Sequence, residues 1–237
     1  MAWADRSVRI IPSTPATGMG GEPAPAGSRA TPRVMIAIPH RLGDWTADFV
    51  HQTYLPLKAE PSRAFDRLFM LCRTASITAA RNMLVAEALK AQASHVFFLD
   101  CDIILPEPVK AIEALLGCNE PIVSGIYRRK SREGYEWCMF TKVPELGRYA
   151  PITQWTGNWI SADVIGMGCC LIRTEVFRKV EPPWFVWHDP DAPSEDFAFC
   201  EKARAAGFEV KVFTEVQAAH VGTFKLMPDG SFKMLEV

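Results

Sequence analysis

Short, continuously apolar segments alternate along this chain with segments whose apolar residues recur at helical spacing, and this alternation restricts the possible folds more than any other feature. The apolar segments predict buried strands over residues 33–39, 67–72, 95–99, 121–127, 164–172 and 209–213. Helices are predicted over residues 78–91 and 106–116, from Thr174, and over 194–206. Strands that are apolar throughout are buried on both faces, and parallel neighbours need long, usually helical, connections. The sequence therefore predicts an α/β fold with a mostly parallel central sheet flanked by helices.

The N-terminal segment has a different composition from the rest of the chain. Residues 12–32 contain five prolines and four glycines among mostly small side chains. Such a segment buries too little apolar surface to offset the entropy lost on ordering. We therefore expect residues 1–32 to form a flexible leader and residues 33–237 to form a single domain. Whether residues 8–11 pack on that domain stays open.

Charge and cysteine content argue against several function classes. The 26 basic and 27 acidic residues give a net charge of −1, so no overall field draws the chain to nucleic acid or anionic lipid. The apolar runs fall short of the roughly 20 residues that span a bilayer, and the N-terminus lacks a signal-peptide pattern. The seven cysteines show no CxxC spacing, unlike a disulfide framework or a zinc motif. We expect a cytoplasmic protein with reduced cysteines and no membrane span.

Two carboxylates follow directly after a predicted strand. Asp100 and Asp102 lie immediately beyond the apolar segment 95–99. In open α/β sheets, ligands gather at the carboxyl ends of strands. Carboxylate oxygens there suit a hard divalent cation such as Mn²⁺ or Mg²⁺. The alternative interpretation is a solvated turn that carries two exposed acids.

A second acidic pair and a histidine allow two interpretations each. Glu195 and Asp196 begin a predicted helix, where carboxylates complement the helix dipole. One of them could instead be a general base aimed into a cleft. His220 ends a predicted strand close to Gly222, and it is either a structural side chain or a ligand.

Taken in order, several short motifs resemble the GT-A glycosyltransferases, particularly the family 2-like enzymes. The matching stretches are residues 34–39 (VMIAIP), 80–82 (ARN), 97–102 (FFLDCD), 121–127 (PIVSGIY), 166–172 (GMGCCLI), 183–185 (PWF), 194–196 (SED), 206–208 (AGF) and 220–222 (HVG). The resemblance extends over residues 33–222. It implies a single Rossmann-like GT-A domain and an enzyme that transfers a hexosyl group from a nucleotide-sugar, with UDP-sugars expected before GDP-sugars.

The resemblance also implies roles for individual residues. Asp100 and Asp102 match the DxD motif that holds Mn²⁺ or Mg²⁺ and the donor diphosphate, with Asp102 the direct metal ligand. His220 matches a distal metal ligand. Asp196 matches the catalytic base, and Glu195 a contact to acceptor or donor. Pro39 and Arg81 match positions near the nucleotide, although Arg81 could also form an ion pair on the helix surface.

The reaction and its alternatives follow from these assignments. We expect inversion if Asp196 lies opposite the leaving group, and retention stays open. A sugar-1-phosphate nucleotidyltransferase is disfavoured because residues 38–42 (IPHRL) replace the glycine- and arginine-rich loop of those enzymes. A non-catalytic nucleotide- or sugar-binding module is the third alternative.

The acceptor is the least determined partner. It could be a glycan, a small molecule or a modified nucleic acid. The basic residues 128–130 and Arg132, beside Tyr127, Tyr135 and Trp137, form either a flap over the donor diphosphate, a contact to an anionic acceptor or a solvated loop.

Overall fold

Strands and helices alternate between residues 33 and 126, and a run of strands follows before the last two helices. The computed structural model describes residues 8–11, 31–40, 45–74, 76–130, 136–187, 194–222, 224–226 and 232–234. The strands are β1 (Val8–Ile11), β2 (Arg33–His40), β3 (Asp66–Arg73), β4 (His95–Leu99), β5 (Ile103–Ile104), β6 (Ile122–Ile126), β7 (Met139–Val143), β8 (Arg148–Pro151), β9 (Trp159–Ala162), β10 (Val164–Ile165), β11 (Cys169–Arg173), β12 (Val210–Gln217), β13 (Ala219–His220), β14 (Phe224–Leu226) and β15 (Phe232–Met234). The α-helices are α1 (Leu55–Ala59), α2 (Ile77–Lys90), α3 (Pro108–Gly117), α4 (Thr174–Lys179) and α5 (Glu195–Ala205). Among the described ranges, no helix has the length and apolar character needed to cross a bilayer.

The central sheet has the strand order β1-β3-β2-β4-β11-β6-β12-β9. Strands β3, β2, β4, β6 and β12 share one direction, whereas β1, β11 and β9 run against them. The predicted α/β fold with a mostly parallel sheet is confirmed in this sense. The carboxyl ends of β2, β4, β6 and β12 consequently meet at one edge, and the amino end of β11 lies at the same edge.

Both faces of the central sheet are covered, as the apolar strands predicted. Strand β2 shows this most clearly, because its successive side chains point to opposite faces. Val34 and Ile36 pack in a core with residues of α3, and Met35 and Ala37 pack in a second core with residues of α2, α4 and α5. All four side chains are fully buried. This two-sided burial fixes α2 and α5 on one face, with their first turns toward the edge described above.

The segment 164–172 departs from the sequence prediction, which took it as one strand. Two strands, β10 and β11, replace it, with Gly166 and Gly168 in the break between them. A Cβ on Gly166 would lie 2.1 Å from Oη of Tyr127, so the close approach of this hydroxyl explains both the glycine and the break. Alternation of apolar residues alone does not reveal such an approach.

Both chain ends pair with strands. The backbone of β1 runs antiparallel to β3 at the edge of the central sheet, so four residues of the predicted leader form a strand. The extent of the leader over residues 1–32 stays a prediction. Near the other end, β14 and β15 pair antiparallel.

Candidate active site

The candidate site lies at the edge where the carboxyl ends of the parallel strands meet. Asp100 follows β4, Tyr127 follows β6, and His220 lies just beyond β12. The N-terminal parts of α2 and α5 reach the same edge and bring Arg81 and Glu195 to it. Ligands of open α/β sheets gather at this kind of edge. The structure therefore brings together residues that are far apart in sequence.

Arg81 connects three carboxylates. Its Nη2 lies 3.2 Å from Oδ1 and 3.3 Å from Oδ2 of Asp100. Its Nε lies 3.3 Å from Oε1 of Glu195 and 3.9 Å from Oδ1 of Asp196. Burial alone would lower the pKa of Arg81, but the charges of Asp100, Asp196 and Glu195 outweigh burial and raise it. With only 2% of its surface exposed, Arg81 forms a buried charge network rather than an ion pair on the helix surface.

Aromatic rings hold the Arg81 guanidinium in place. Its Cζ lies 5.3 Å from the centroid of the Phe98 ring and 6.0 Å from that of the Phe185 ring. The next residue, Asn82, fixes the second ring: its amide nitrogen donates to the carbonyl of Phe185, and its Oδ1 accepts from the backbone N–H groups of Trp184 and Phe185. Consecutive residues of α2 thus hold the acids and the backbone of Trp184 and Phe185.

Asp102 belongs to a second, separate cluster. Its Oδ2 accepts hydrogen bonds from Nζ of Lys130 at 2.5 Å and faces Nε2 of His220 at 3.3 Å. Burial acts to raise the pKa of Asp102, but the hydrogen bonds and charges of His220 and Lys130 lower it to about 2. Asp100 differs, because burial prevails over Arg81 and raises its pKa. The two acids of the Asp-Cys-Asp motif therefore have different environments.

His220 is oriented by the backbone around it. Its Nδ1 lies 2.8 Å from the carbonyl oxygen of Arg128. A carbonyl oxygen only accepts, so Nδ1 carries a proton, and Nε2 is directed at Asp102. Strand β13 pairs His220 with Ile103, and the N–H of Val221 donates to the carbonyl of Asp102 at 2.8 Å. Backbone pairing and the ring hydrogen bond together fix this histidine beside the carboxylate.

Glu195 and Asp196 occupy the first turn of α5. Glu195 is buried and Asp196 is half-buried. Burial and the neighbouring charge of Glu195 raise the pKa of Asp196 well above its ordinary value. Within the described part of the chain, Oδ1 of Asp196 and Nη1 of Arg81 are buried without a hydrogen-bond partner. A carboxylate with a raised pKa at the mouth of a site is suited to accept a proton.

Tyr127 closes the floor of the site. Its hydroxyl accepts a hydrogen bond from the N–H of Gly168 at 2.9 Å, and its ring lies edge-on to His220, with centroids 5.7 Å apart. Burial raises the pKa of Tyr127 well above its ordinary value, so the phenol stays protonated. The backbone of Gly168 also accepts from the N–H of Asp100 at 3.1 Å. Tyr127 thereby links the end of β6 to the start of β11, and it contacts His220 directly and Asp100 through Gly168.

The residues present fit a divalent cation that is completed by substrate. Asp102 and His220 direct a carboxylate oxygen and an imidazole nitrogen toward each other, and both are ligands that Mn²⁺ accepts. In the part of the chain that the structure describes, no three His, Cys, Asp or Glu side chains surround one point. Asp100 is turned to Arg81 instead. Two protein ligands are typical of sites in which substrate phosphates and water complete the coordination of the metal.

The predicted site residues thus fall into two adjacent groups and one outlying position. Arg81, Asp100, Glu195 and Asp196 form the first group, and Asp102 and His220 form the second. Pro39 is buried near the end of β2, whose register with β4 pairs Ala37 with Phe98, so Pro39 is at the level of Asp100.

Two further features were not predicted: the Phe185 ring against Arg81, and the buried Tyr127 hydroxyl. The glycines at 166 and 168 could have indicated the buried hydroxyl, because closely spaced glycines often mark a place where another group approaches the backbone closely.

Three comparisons show what this chain is similar to. Residues 71–142 match the Anp1 family, a GT-A-like mannosyltransferase family, and this range contains Arg81, Asp100, Asp102 and Lys130. A197 from STIV has a similar structure, with a TM-score of 0.55 and 17% identity over 87% of this chain and 95% of that chain. GalNAc-T7 with UDP, GalNAc and Mn²⁺ aligns with a TM-score of 0.47 and 11% identity over 80% of this chain and 44% of that one. No curated protein matches the chain.

The Anp1 match supports the GT-A fold and glycosyltransferase activity, as the sequence motifs predicted.

Proposed function

We propose that this protein transfers a sugar from a nucleoside-diphosphate donor, a UDP-sugar before a GDP-sugar, to an acceptor hydroxyl with inversion at the anomeric carbon. The observation that carries the proposal is the convergence of Asp102 and His220 beside the carboxylates that Arg81 holds. One group suits the binding of a diphosphate through a cation, and the other suits the acceptance of a proton. A sugar transferase needs both functions at one site.

Each residue of the site has its own role in the proposed transfer. Asp102 and His220 would hold a Mn²⁺ or Mg²⁺ ion, which would neutralise charge on the diphosphate when bound. The acceptor oxygen forms a bond to the anomeric carbon as the bond from that carbon to the diphosphate breaks. Asp196 takes the proton of the acceptor hydroxyl, and the nucleoside diphosphate leaves with the electron pair of the broken bond. Glu195 and Arg81 position Asp196, and Pro39 borders the nucleotide.

The contacts of the basic segment bear on the acceptor. Arg128 stacks on the Trp137 ring at 3.8 Å, Arg129 pairs with Glu136 at 2.5 Å, and Lys130 pairs with Asp102. A nucleic acid would have to displace all three contacts to use these charges. The arrangement therefore favours a hydroxyl of a glycan or small molecule over a nucleic acid. Binding of an RNA or DNA that weakens steeply between low and moderate salt would argue for the other acceptor class.

A donor screen tests the proposal. UDP- and GDP-sugars are incubated with the full-length protein and Mn²⁺ or Mg²⁺, and release of the nucleoside diphosphate is measured. We expect turnover of a UDP-sugar that requires metal and is lost in Asp102→Ala and His220→Ala. Asp66→Asn, an exposed acid at the start of β3, is the control and should retain activity. Metal-dependent binding of nucleotide without turnover would instead favour the non-catalytic binding module.

A further inference from the structure

We propose that Lys130 is the resident counter-ion of Asp102, which a divalent cation must displace, so that Lys130 controls the metal affinity of the site. Lys130 and His220 approach the same carboxylate oxygen, Oδ2 of Asp102, at 2.5 Å and 3.3 Å. This oxygen is also the one that faces the ring nitrogen available to a metal. A metal held by Asp102 and His220 therefore competes with the ammonium group for the same atom.

Burial makes this competition stronger than at an ordinary surface ion pair. The side chains of Lys130, Asp102 and His220 are 26%, 31% and 18% exposed. Charges in such partly enclosed positions are screened less than charges in open solvent. An ammonium group and a divalent cation on one carboxylate oxygen repel each other, so binding of either cation weakens binding of the other.

The backbone allows Lys130 to move without unfolding its segment. The N–H of Arg129 donates to the carbonyl of Glu136 at 2.7 Å, and the N–H of Cys138 donates to the carbonyl of Tyr127 at 3.0 Å. Arg128 and Trp137 form a bridge between these two contacts. Lys130 lies one residue beyond this anchored ladder. Rotation of its long side chain is sufficient to release Asp102.

Lys130 then has a second role, which rests on the proposed function. An anion bound at the metal of Asp102 and His220 lies within the range that the released side chain can reach. The ammonium group would oppose binding of the metal alone and favour binding of a metal together with a diphosphate. Removal of Lys130 should therefore change the two affinities in opposite directions.

Titration of the full-length protein with Mn²⁺ alone tests the first role, with free Mn²⁺ followed by electron paramagnetic resonance. Lys130→Gln should bind Mn²⁺ about fivefold more tightly than the unaltered protein, as expected for loss of a competing ion pair. Lys130→Arg retains the charge and should stay close to the unaltered protein. Arg129→Gln is the matched control. It also removes one positive charge, but Arg129 is the neighbour of Lys130 and pairs with Glu136 instead of Asp102. In Asp102→Asn/Lys130→Gln the gain should disappear.

Calorimetry with UDP at saturating Mn²⁺ tests the second role, and Lys130→Gln should bind UDP about fivefold more weakly. Equal Mn²⁺ affinity in Lys130→Gln and the unaltered protein, an equal gain in Arg129→Gln, or no Mn²⁺ binding in any variant would overturn the inference. The Mn²⁺ titration uses no nucleotide, so failure of the proposed transferase function is read separately. Tighter Mn²⁺ binding without any UDP binding would support the counter-ion role and contradict that function.

Discussion

Nη2 of Arg81 lies 3.2 Å from Oδ1 of Asp100, and this contact connects helix α2 to the end of strand β4 inside the protein. The same guanidinium also contacts Glu195 of α5. One buried cation therefore sets the distance between the acids that follow the central strand and the acids that begin α5. The candidate base is held in place by packing as well as by charge.

Arg81→Met should be among the more destabilising single substitutions in this fold. Methionine is of similar length but uncharged, so it leaves the buried Glu195 and the half-buried Asp100 and Asp196 without their shared cation. Removal of one partner from a buried charge network costs about 3–5 kcal/mol. Urea denaturation measures the loss, with Arg148→Met as the control, because Arg148 is exposed on β8. A loss below about 1 kcal/mol, within the range of exposed pairs, would contradict the buried network.

Periodicity predicted the elements of this fold, because burial on both faces of a sheet leaves a clear mark in the sequence. Strand β4 and helix α2 occur where continuous apolar residues and helical spacing placed them. The break around Gly166 was not predictable from periodicity, because it depends on a hydroxyl that another strand supplies. The reversed direction of β11 was not predictable either, since apolar character carries no information on strand direction.

The site was predictable as a set of residues, but their partners were not. Asp100 and Asp102 are two residues apart, and a shared role for them was the natural interpretation of their spacing. In the structure one faces Arg81 and the other faces His220 and Lys130. The three partners come from helix α2, strand β13 and the segment after β6, and only tertiary packing determines which of them reaches each carboxylate.

Asp196→Asn should stabilise the protein and slow the proposed transfer at the same time. The pKa of Asp196 is raised in the folded state, so the native protein binds this proton more tightly than the unfolded chain. The free energy of unfolding then falls as pH rises above the ordinary aspartate pKa of about 4. Asparagine removes that penalty but cannot accept a proton, so transfer should fall about 10²-fold or more.

The Tm of Asp196→Asn at pH 5 and pH 8, compared with that of the unaltered protein, measures the first effect. Transfer rate and affinity for UDP with Mn²⁺ measure the second, and that affinity should be unchanged. Glu195→Gln should give an intermediate loss of transfer, since Glu195 positions Asp196 but does not take the proton itself. Near-normal transfer by Asp196→Asn would move the base to Glu195 or favour a retaining mechanism.

His95 should make the fold sensitive to mild acid. Burial, with a smaller contribution from the charge of Arg173, lowers the pKa of His95 to about 4. The unfolded chain takes up this proton near pH 6.5 and the native state only near pH 4, so stability is complete above pH 6.5 and falls as the pH drops through that window. His95→Gln should remove this part of the dependence. Denaturant titrations at pH 7 and pH 4.5 give the free energy of unfolding at each pH. An equal loss of that free energy between the two pH values in the unaltered protein and in His95→Gln would contradict the assignment.

Gly166→Ala tests the close approach that breaks β10 from β11. A Cβ at this position would lie 2.1 Å from Oη of Tyr127 and 2.4 Å from Sγ of Cys138, well inside van der Waals contact. Overpacking of this kind costs about 1–3 kcal/mol. Gly117→Ala at the end of α3 meets no atom within 4 Å, and the higher helix propensity of alanine should leave that control unchanged or slightly more stable.

Tyr127→Phe in the Gly166→Ala background separates the clash from other effects. It removes the nearest atom, so the double variant should recover part of the stability that Gly166→Ala loses. The single variant Tyr127→Phe should itself lose about 1 kcal/mol, because the N–H of Gly168 then lacks its hydrogen-bond acceptor. The interaction energy from the double-mutant cycle is the quantity to measure, by urea denaturation of all four proteins. Additive losses would mean that the hydroxyl of Tyr127 does not enforce the glycine at position 166.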